Sequence, residues 1–339
     1  MDNDLLYAWS LLPKVSRSFA FVTEYLSRDT KSRIGDSVMV FYHVCRVLDT
    51  IEDSSIPNAG KESLYHKFLD ALKQENQAHK LLSDSSILST NQGYIELMDN
   101  AGRIIGVFTT LPENAKEIIR RYAGEMAQGM HHFGMRSIQT FDDLDAYCHP
   151  VAGIIGYALT ELFHTNGHVP DADHGRMEKG RHFGLALQKV NIIRDFGQDL
   201  AHGRHFWPID LLVRHGVSFN TITEKDNAPA ALKTLDEIIL HSRTNVDNAM
   251  DYFCAIPENE ESVRMFCGIS LVLALETLER VKNNPAVFKP NPNSEPLSSL
   301  KVSRISFMAL VASIKANISD NAWFIRKYDS LKSTIYSHG

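Results

Sequence analysis

The chain has 339 residues, of which 44% are hydrophobic and 22% are charged. This composition suits a globular protein with a substantial core and excludes the disordered and fibrous classes. Because 35 basic residues stand against 41 acidic ones, the net charge is -6 and no overall positive field exists to attract nucleic acid. We therefore expect no nucleic-acid partner.

Apolar residues recur at helical spacing through most of the chain, and no convincing alternating strand is found. In chain order, the spacing predicts helices over residues 33–53, 113–133, 141–163, 177–200, 230–254, 262–281 and 302–328. Clusters of turn residues predict loops at 56–60, 165–175, 201–208 and 289–299. None of these loops is long or biased enough to be a linker between domains. The sequence therefore predicts one all-α domain over residues 1–339.

The cellular compartment is predicted from three features that the sequence lacks: paired cysteines, a secretion signal and a membrane-spanning segment. The four cysteines, Cys45, Cys148, Cys254 and Cys267, form no CxxC pair, as is typical of proteins with reduced thiols. The N-terminus has no secretion signal, and the longest apolar run, 265–275, is too short to cross a bilayer. We expect a cytoplasmic protein without a transmembrane segment, and leave open a peripheral contact with a membrane surface.

The predicted helix 33–53 carries its polar residues on one face. At 100° per residue, Tyr42, Arg46, Asp49 and Asp53 align along one stripe, with Glu52 beside it. Three carboxylates crowded at the end of a mainly apolar helix are costly unless a cation neutralises them. Taken alone, such a motif is more often a solvated helix end.

A second stripe appears on the predicted helix 177–200. Gln188, Asn191, Asp195 and Asp199 share one face, and apolar residues cover most of the remaining circumference. This pattern favours a buried helix whose polar stripe is turned toward an internal cavity.

Together, the two stripes predict an all-oxygen metal site. Its expected ligands are Asp49, Glu52, Asp53, Asn191, Asp195 and Asp199, a donor set that suits Mg²⁺ and not Zn²⁺. Since Mg²⁺ usually shares its coordination sphere with phosphate oxygens, the sequence predicts a diphosphate between the helices. Arg46, Arg194 and Gln188 would contact it. Simple pairing of the two arginines with neighbouring acids is the alternative.

These motifs resemble the squalene and phytoene synthase family, the head-to-head prenyl transferases of the all-α isoprenoid synthase fold. The resemblance extends to Ser16-Arg17-Ser18-Phe19-Ala20, Tyr147-Cys148-His149-Pro150-Val151-Ala152-Gly153 and Gly203-Arg204-His205-Phe206-Trp207-Pro208. It implies a helical bundle around a central cavity. The DTIED, NIIRD and GRHFWP motifs are most similar to the squalene synthase branch of that family.

The resemblance implies a transferase that condenses two farnesyl diphosphates to presqualene diphosphate and reduces this to squalene. Asp49, Asp53, Asp195, Asp199 and Tyr147 are then expected to be catalytic, Tyr147 by assisting proton removal. Phosphate contacts are implied for Ser16, Arg17 and Ser18 in addition to those above, and cavity positions for Phe19, Tyr42 and Phe266. Each aromatic residue, taken singly, is more often part of the ordinary core.

The reductive step depends on the resemblance alone, because no GxGxxG motif follows a strand. NADPH is the implied cofactor beside Mg²⁺. Lys301 matches a basic position that contacts the cofactor in relatives, and Arg304 lies one residue away from another. Eukaryotic members end in a membrane anchor, so a chain ending as this one does is expected to be either a soluble prokaryotic type or a trimmed form.

Two other functions remain open at this point. A related head-to-head synthase would stop at presqualene diphosphate or make dehydrosqualene or phytoene. A noncatalytic helical interaction protein could share the scaffold, although it would need neither set of carboxylates.

Overall fold

A computed structural model describes residues 3–29, 32–76, 85–133, 136–292 and 297–337. In these ranges the regular secondary structure is helical and no β-strand is present, which confirms the all-α prediction. The α-helices are α1 (Asn3–Val15), α2 (Arg17–Ser27), α3 (Ile34–Glu52), α4 (Asn58–Lys73), α5 (Gln92–Asp99), α6 (Ala101–Thr109), α7 (Glu113–Phe133), α8 (Phe141–Cys148), α9 (Ile154–Thr165), α10 (His174–Arg194), α11 (Phe196–Ala201), α12 (Ile209–Arg214), α13 (Ala228–His241), α14 (Arg243–Cys254), α15 (Glu261–Val281), α16 (Arg304–Ala316) and α17 (Asn321–Ile335). A π-helical turn, His149–Gly153, joins α8 to α9.

The contacts divide the chain into two compact units. Unit 1 comprises Met1–Arg136 and Tyr157–Asp173, and unit 2 comprises Ser137–Gly156 and His174–Gly339. One domain over residues 1–339, and a central cavity within it, therefore stay predictions.

Unit 1 is built around α3. This helix packs against α1, α2, α4, α5, α6 and α7, and most of its residues are buried. Val44, Leu48 and Ile51 are completely inaccessible to solvent, and burial of each such side chain stabilises the fold by about 1.5–3 kcal/mol. Beyond Asp36 in the first turn, the packing leaves only a narrow polar strip of α3 uncovered.

Unit 2 is built around α10, which packs against α14, α15 and the π-helical turn. Its apolar positions Leu185, Val190, Ile192 and Ile193 are buried, as the sequence predicts. The close approach to the turn requires glycine at position 184, since a Cβ there would lie 2.1 Å from the carbonyl oxygen of Ala152.

Four predicted helices are wrong in their continuity. The helix predicted over 141–163 is divided into α8 and α9 by the π-helical turn His149–Gly153. The helix predicted over 177–200 begins at His174 and is interrupted at Asp195, where α11 follows. The helix predicted over 230–254 is interrupted at the buried Ser242, whose hydroxyl donates to the carbonyl oxygen of Ile239 at 2.6 Å. That local hydrogen bond competes with the helical pattern.

The helix predicted over 302–328 is two helices, α16 and α17. Between them, the buried guanidinium of Arg264 donates from Nε to the carbonyl oxygen of Ile318 at 2.6 Å. Asp320 caps α17 by accepting from the backbone N–H of Trp323 at 3.0 Å. The long-range bond and the cap together fix a turn that the apolar periodicity does not indicate.

Candidate active site

The polar stripe of α3 is present as predicted. In the second half of the helix, the residues that are not buried are Tyr42, Arg46, Asp49 and Glu52, and Asp53 follows as the exposed C-terminal cap. All the residues between them are buried. The stripe is therefore the only part of this helical segment that a ligand can reach.

Arg46 is fixed within the stripe by its neighbours. Its Nη1 lies 3.2 Å from Oδ2 of Asp49, and its Nη2 donates to the hydroxyl of Tyr42 at 2.8 Å. Its Nε is buried and has no hydrogen-bond partner among the described residues. Because an unsatisfied buried donor is costly, this group is suited to a ligand oxygen. The pairing with Asp49 that the sequence left as an alternative is also present.

The carboxylates of the stripe lie in an unfavourable electrostatic position. They stand at the C-terminal end of α3, where the helix dipole is negative and the last turn holds no basic residue. Burial raises the pKa of the Asp49 carboxyl to about 6; Arg46 opposes this rise, and the charge of Asp53 adds to it. A bound cation would offset the negative end of the helix dipole, the cost of burying the Asp49 charge and its repulsion from Asp53. Oxygen donors of this kind fit Mg²⁺.

Two residues of α4 lie at the same site and are missed by the sequence analysis, which predicts no helix there. Tyr65 is buried, and burial followed by the charges of Glu52, Asp49 and Asp53 raises the pKa of its hydroxyl. Lys61 Nζ donates to the backbone carbonyl oxygen of Glu52 at 2.5 Å. This ammonium supplies positive charge at the end of α3 that the helix itself lacks.

The start of α2 adjoins the stripe. The ring of Phe19 stacks on that of Tyr42 at a centroid distance of 4.4 Å, and the Tyr42 hydroxyl donates to the carbonyl oxygen of Val15 at 3.2 Å. Ser16 caps α2 by accepting from the backbone N–H of Phe19 at 3.2 Å. The side chains of Arg17 and Ser18 lie outside the described part of the structure, so their expected phosphate contacts stay predictions.

In unit 2, the second stripe combines acids with arginines. Gln188 is half-buried, Asn191 is exposed, and Asp195 and Asp199 follow at the junction of α10 and α11. Arg194 donates to both carboxylate oxygens of Asp195, at 2.7 and 2.6 Å. The arginine thus pairs with its neighbour, which is the alternative that the sequence left open.

Arg204 is a further site residue. It lies in the GRHFWP motif, but the sequence predicts no role for it. Its Nη2 lies 2.9 Å from Oδ1 of the nearly buried Asp199, and its backbone N–H donates to the carbonyl oxygen of Asp199 at 2.8 Å. Gly203 makes this turn possible because its φ of 70° lies in the left-handed region. Trp207, 1% exposed, anchors the loop by donating to the carbonyl oxygen of Ile192 at 3.3 Å.

Tyr147 lies in the last turn of α8, directly before the π-helical turn. It is 8% exposed, and its ring stacks on that of Phe206 at a centroid distance of 5.0 Å. Such π-helical turns are often found at functional sites. The GRHFWP loop therefore contributes both the Asp199 partner and the neighbour of the tyrosine.

The remaining predicted residues lie elsewhere in unit 2. Phe266 is buried in α15, Lys301 is half-buried before α16, and Arg304 is the exposed first residue of α16. Their proposed roles as cavity wall and cofactor contacts stay predictions.

The two carboxylate sets belong to different units, so their joint binding of one ligand stays a prediction. Among the described residues, no group of three or more His, Cys, Asp or Glu side chains is disposed to hold a metal ion. No helix in the described ranges has the length and apolar character needed to span a bilayer.

Comparison with known proteins identifies the chain's relatives. The family model described as squalene/phytoene synthase matches residues 12–304. Squalene synthase of Dictyostelium discoideum is 32% identical over 283 residues, 83% of this chain and 65% of that protein. Squalene synthase of Schizosaccharomyces pombe is 32% identical over 300 residues, 86% of this chain and 62% of that protein. The chain thus spans less than two thirds of the length of either relative.

Solved structures extend the likeness to the fold. TcSQS in complex with the ligand BPH1237 superposes with a TM-score of 0.82 at 27% identity, covering 99% of this chain and 98% of that one. A dehydrosqualene synthase superposes with a TM-score of 0.65 at 19% identity, covering 93% and 96%, which shows a shared fold alone. The matched segment contains both acidic stripes, Tyr147 and the GRHFWP loop, and the chain belongs to the squalene/phytoene synthase family.

Proposed function

We propose that the protein is a squalene synthase. It condenses two molecules of farnesyl diphosphate to presqualene diphosphate in a Mg²⁺-dependent reaction and reduces this intermediate to squalene with NADPH. The names of the relatives support this assignment, and the observation that carries it is the ligand-accessible stripe of α3 with its orphaned Arg46 Nε.

Diphosphate departure is the main electrostatic problem of both half-reactions. Asp49, Glu52, Asp53, Asp195 and Asp199, with Asn191, would hold Mg²⁺, which neutralises charge on the leaving diphosphate when bound. Arg46 donates to the diphosphate from its free Nε, and Gln188 and Arg194 extend these contacts from α10. Arg204 orients Asp199 through the ion pair at 2.9 Å. Preorganised charges of this kind stabilise a developing anion without reorganisation during the reaction.

Tyr147 assists the proton transfer of cyclopropane formation. A phenol with an ordinary pKa of about 10 is a weak base, so the released diphosphate shares the role of proton acceptor. The stack on Phe206 fixes the orientation of the ring.

Carbocation intermediates require walls that exclude water and offer no nucleophile. Phe19, stacked on Tyr42, and the buried Phe266 meet this requirement. The face of a desolvated ring can stabilise a nearby cation by about 2 kcal/mol. Lys301 and Arg304 would contact phosphate groups of NADPH, which supplies the hydride of the final step when bound.

Product analysis tests this function directly. The protein is incubated with farnesyl diphosphate and Mg²⁺, with and without NADPH, and the extracted lipids are identified by mass spectrometry. Squalene formed only with NADPH supports the proposal. Presqualene diphosphate, dehydrosqualene or phytoene as the sole product in the presence of NADPH would overturn the reductive step and assign the chain to another activity of the family.

A further inference from the structure

Helix α16 is apolar on the side that faces away from the protein. Leu310, Val311 and Ile314 form its buried face. On the opposite side, Ile305 is 84% exposed and Met308 is 51% exposed. The same side continues through the exposed residues Ala309, Ala312 and Ala316. The spacing of three and four residues aligns these five side chains into one stripe, which we term the α16 outer face.

The outer face differs from the isolated apolar residues found on any protein surface. Val213 on α12, which is 66% exposed, is an example of such an isolated residue in the same unit. A helix that is apolar on both sides is ordinarily covered on both sides, and contiguous apolar surface marks an interaction site. The exposure of Ile305 and Met308 shows that the residues described in the structure leave this stripe uncovered.

The charge around the outer face indicates what covers it. Between Leu297 and Ser319 the sequence contains Lys301, Arg304 and Lys315 but no acidic residue, although the whole chain has a net charge of -6. Arg304 and Lys315 are exposed and lie at opposite ends of α16. An apolar stripe with basic residues at its ends complements a surface that is anionic outside and apolar beneath, which is the property of a bilayer leaflet containing acidic phospholipids.

We propose that the α16 outer face docks on the surface of an anionic lipid bilayer. Ile305 and Met308 enter the boundary between headgroups and acyl chains, and the alanines allow the helix to lie flat. Lys315 contacts lipid phosphates, and Arg304 adds positive charge at the other end of the face. The docking does not depend on the proposed reaction, although a hydrocarbon product would leave directly into the lipid.

Vesicle co-sedimentation tests the docking with the full chain. Vesicles of phosphatidylcholine mixed with phosphatidylglycerol are compared with vesicles of phosphatidylcholine alone. We expect binding to the anionic vesicles that weakens as salt is added. The double variant Ile305→Glu/Met308→Glu should weaken it by at least about tenfold, because charges replace the apolar side chains that enter the lipid. Lys315→Glu should weaken binding to anionic vesicles specifically.

The matched control is Val213→Glu, which places the same charge on an exposed apolar residue outside the outer face. It should bind vesicles like the wild type, and circular dichroism should show unchanged helicity in all variants. Equal vesicle binding by the wild type and the double variant would overturn the proposal. So would a wild-type dimer that the double variant loses, without lipid binding by either, since the face would then contact a second copy. Turnover of dispersed farnesyl diphosphate is measured for the double variant as well. A variant that no longer binds vesicles but still turns over this substrate shows that docking and the proposed function can fail separately.

Discussion

The ammonium group of Lys189 lies 2.5 Å from Oδ1 of Asp145 and links α10 to α8. Lys189 is only 2% exposed. The same ammonium donates to Oδ1 of Asn245 at 2.6 Å, and His241 Nε2 lies 3.0 Å from the same oxygen of Asp145. This network joins the helix that carries Tyr147 to the helix that carries the second polar stripe.

Replacement of Lys189 by Met should destabilise the protein. Loss of one partner leaves Asp145 and Asn245 without their buried donor, and since Asp145 is partly exposed we expect a loss of about 1–3 kcal/mol. Urea unfolding followed by circular dichroism measures the change. Lys179→Met is the matched control, because Lys179 lies on the same helix in an exposed pair 3.6 Å from Asp251. That variant should change stability by less than about 1 kcal/mol, and equal losses in both would contradict the structural role of Lys189.

Replacement of Asp49 by Asn should separate stability from activity. Because burial raises the pKa of this carboxyl to about 6, its ionised form opposes folding at neutral pH. The variant should keep its stability or gain up to about 2 kcal/mol, while turnover of farnesyl diphosphate falls by at least about 100-fold. Asp70→Asn, which removes an exposed carboxylate of α4, should leave both quantities unchanged. Near-normal turnover of the Asp49 variant would remove this residue from the mechanism.

Arg204 should contribute to catalysis through the geometry of its guanidinium group. Arg204→Gln removes the ion pair to Asp199, and we expect kcat/KM for farnesyl diphosphate to fall by about 10–1000-fold. Arg204→Lys keeps the charge but loses the planar fork, so its activity should be intermediate. Full activity of the glutamine variant would show that the pair at 2.9 Å is structural only.

His43 should make the stability of unit 1 sensitive to acid. Burial lowers the pKa of this imidazole to about 4, and its Nε2 lies 2.9 Å from the carbonyl oxygen of Ala8. The unfolded chain, with an ordinary pKa of about 6.5, binds the proton more tightly. Stability is therefore complete above about pH 6.5 and falls by a few kcal/mol as the pH approaches 4.

Unfolding free energies measured between these two pH values test this dependence. His43→Gln removes the titrating group and should flatten the part of the pH profile that His43 causes. An unchanged profile in the variant would show that other groups cause the acid sensitivity.

The sequence predicts α3 and its polar stripe closely, because a helix covered on nearly all sides leaves a strong periodic signal. It does not predict the interruption of the helix at Asp195. Helical hydrogen bonds continue on both sides of this point, from Asp195 N–H to the carbonyl oxygen of Asn191 and from Asp199 N–H to that of Asp195, so the local pattern hardly changes. It also misses the turn held by Arg264, since a bond between distant residues leaves no local pattern. The sequence likewise does not predict Tyr65 as a site residue, because its position beside the carboxylates depends on the packing of α4 on α3.

The most direct test of the central claim is a calorimetric titration of the protein with inorganic pyrophosphate, with and without Mg²⁺. We predict Mg²⁺-dependent binding that is weakened at least about tenfold in Asp49→Asn and likewise in Asp195→Asn, because in the proposed function both acidic sets hold the Mg²⁺ that binds the diphosphate. Pyrophosphate binding of equal strength without Mg²⁺, or binding unaffected in both variants, would contradict the account.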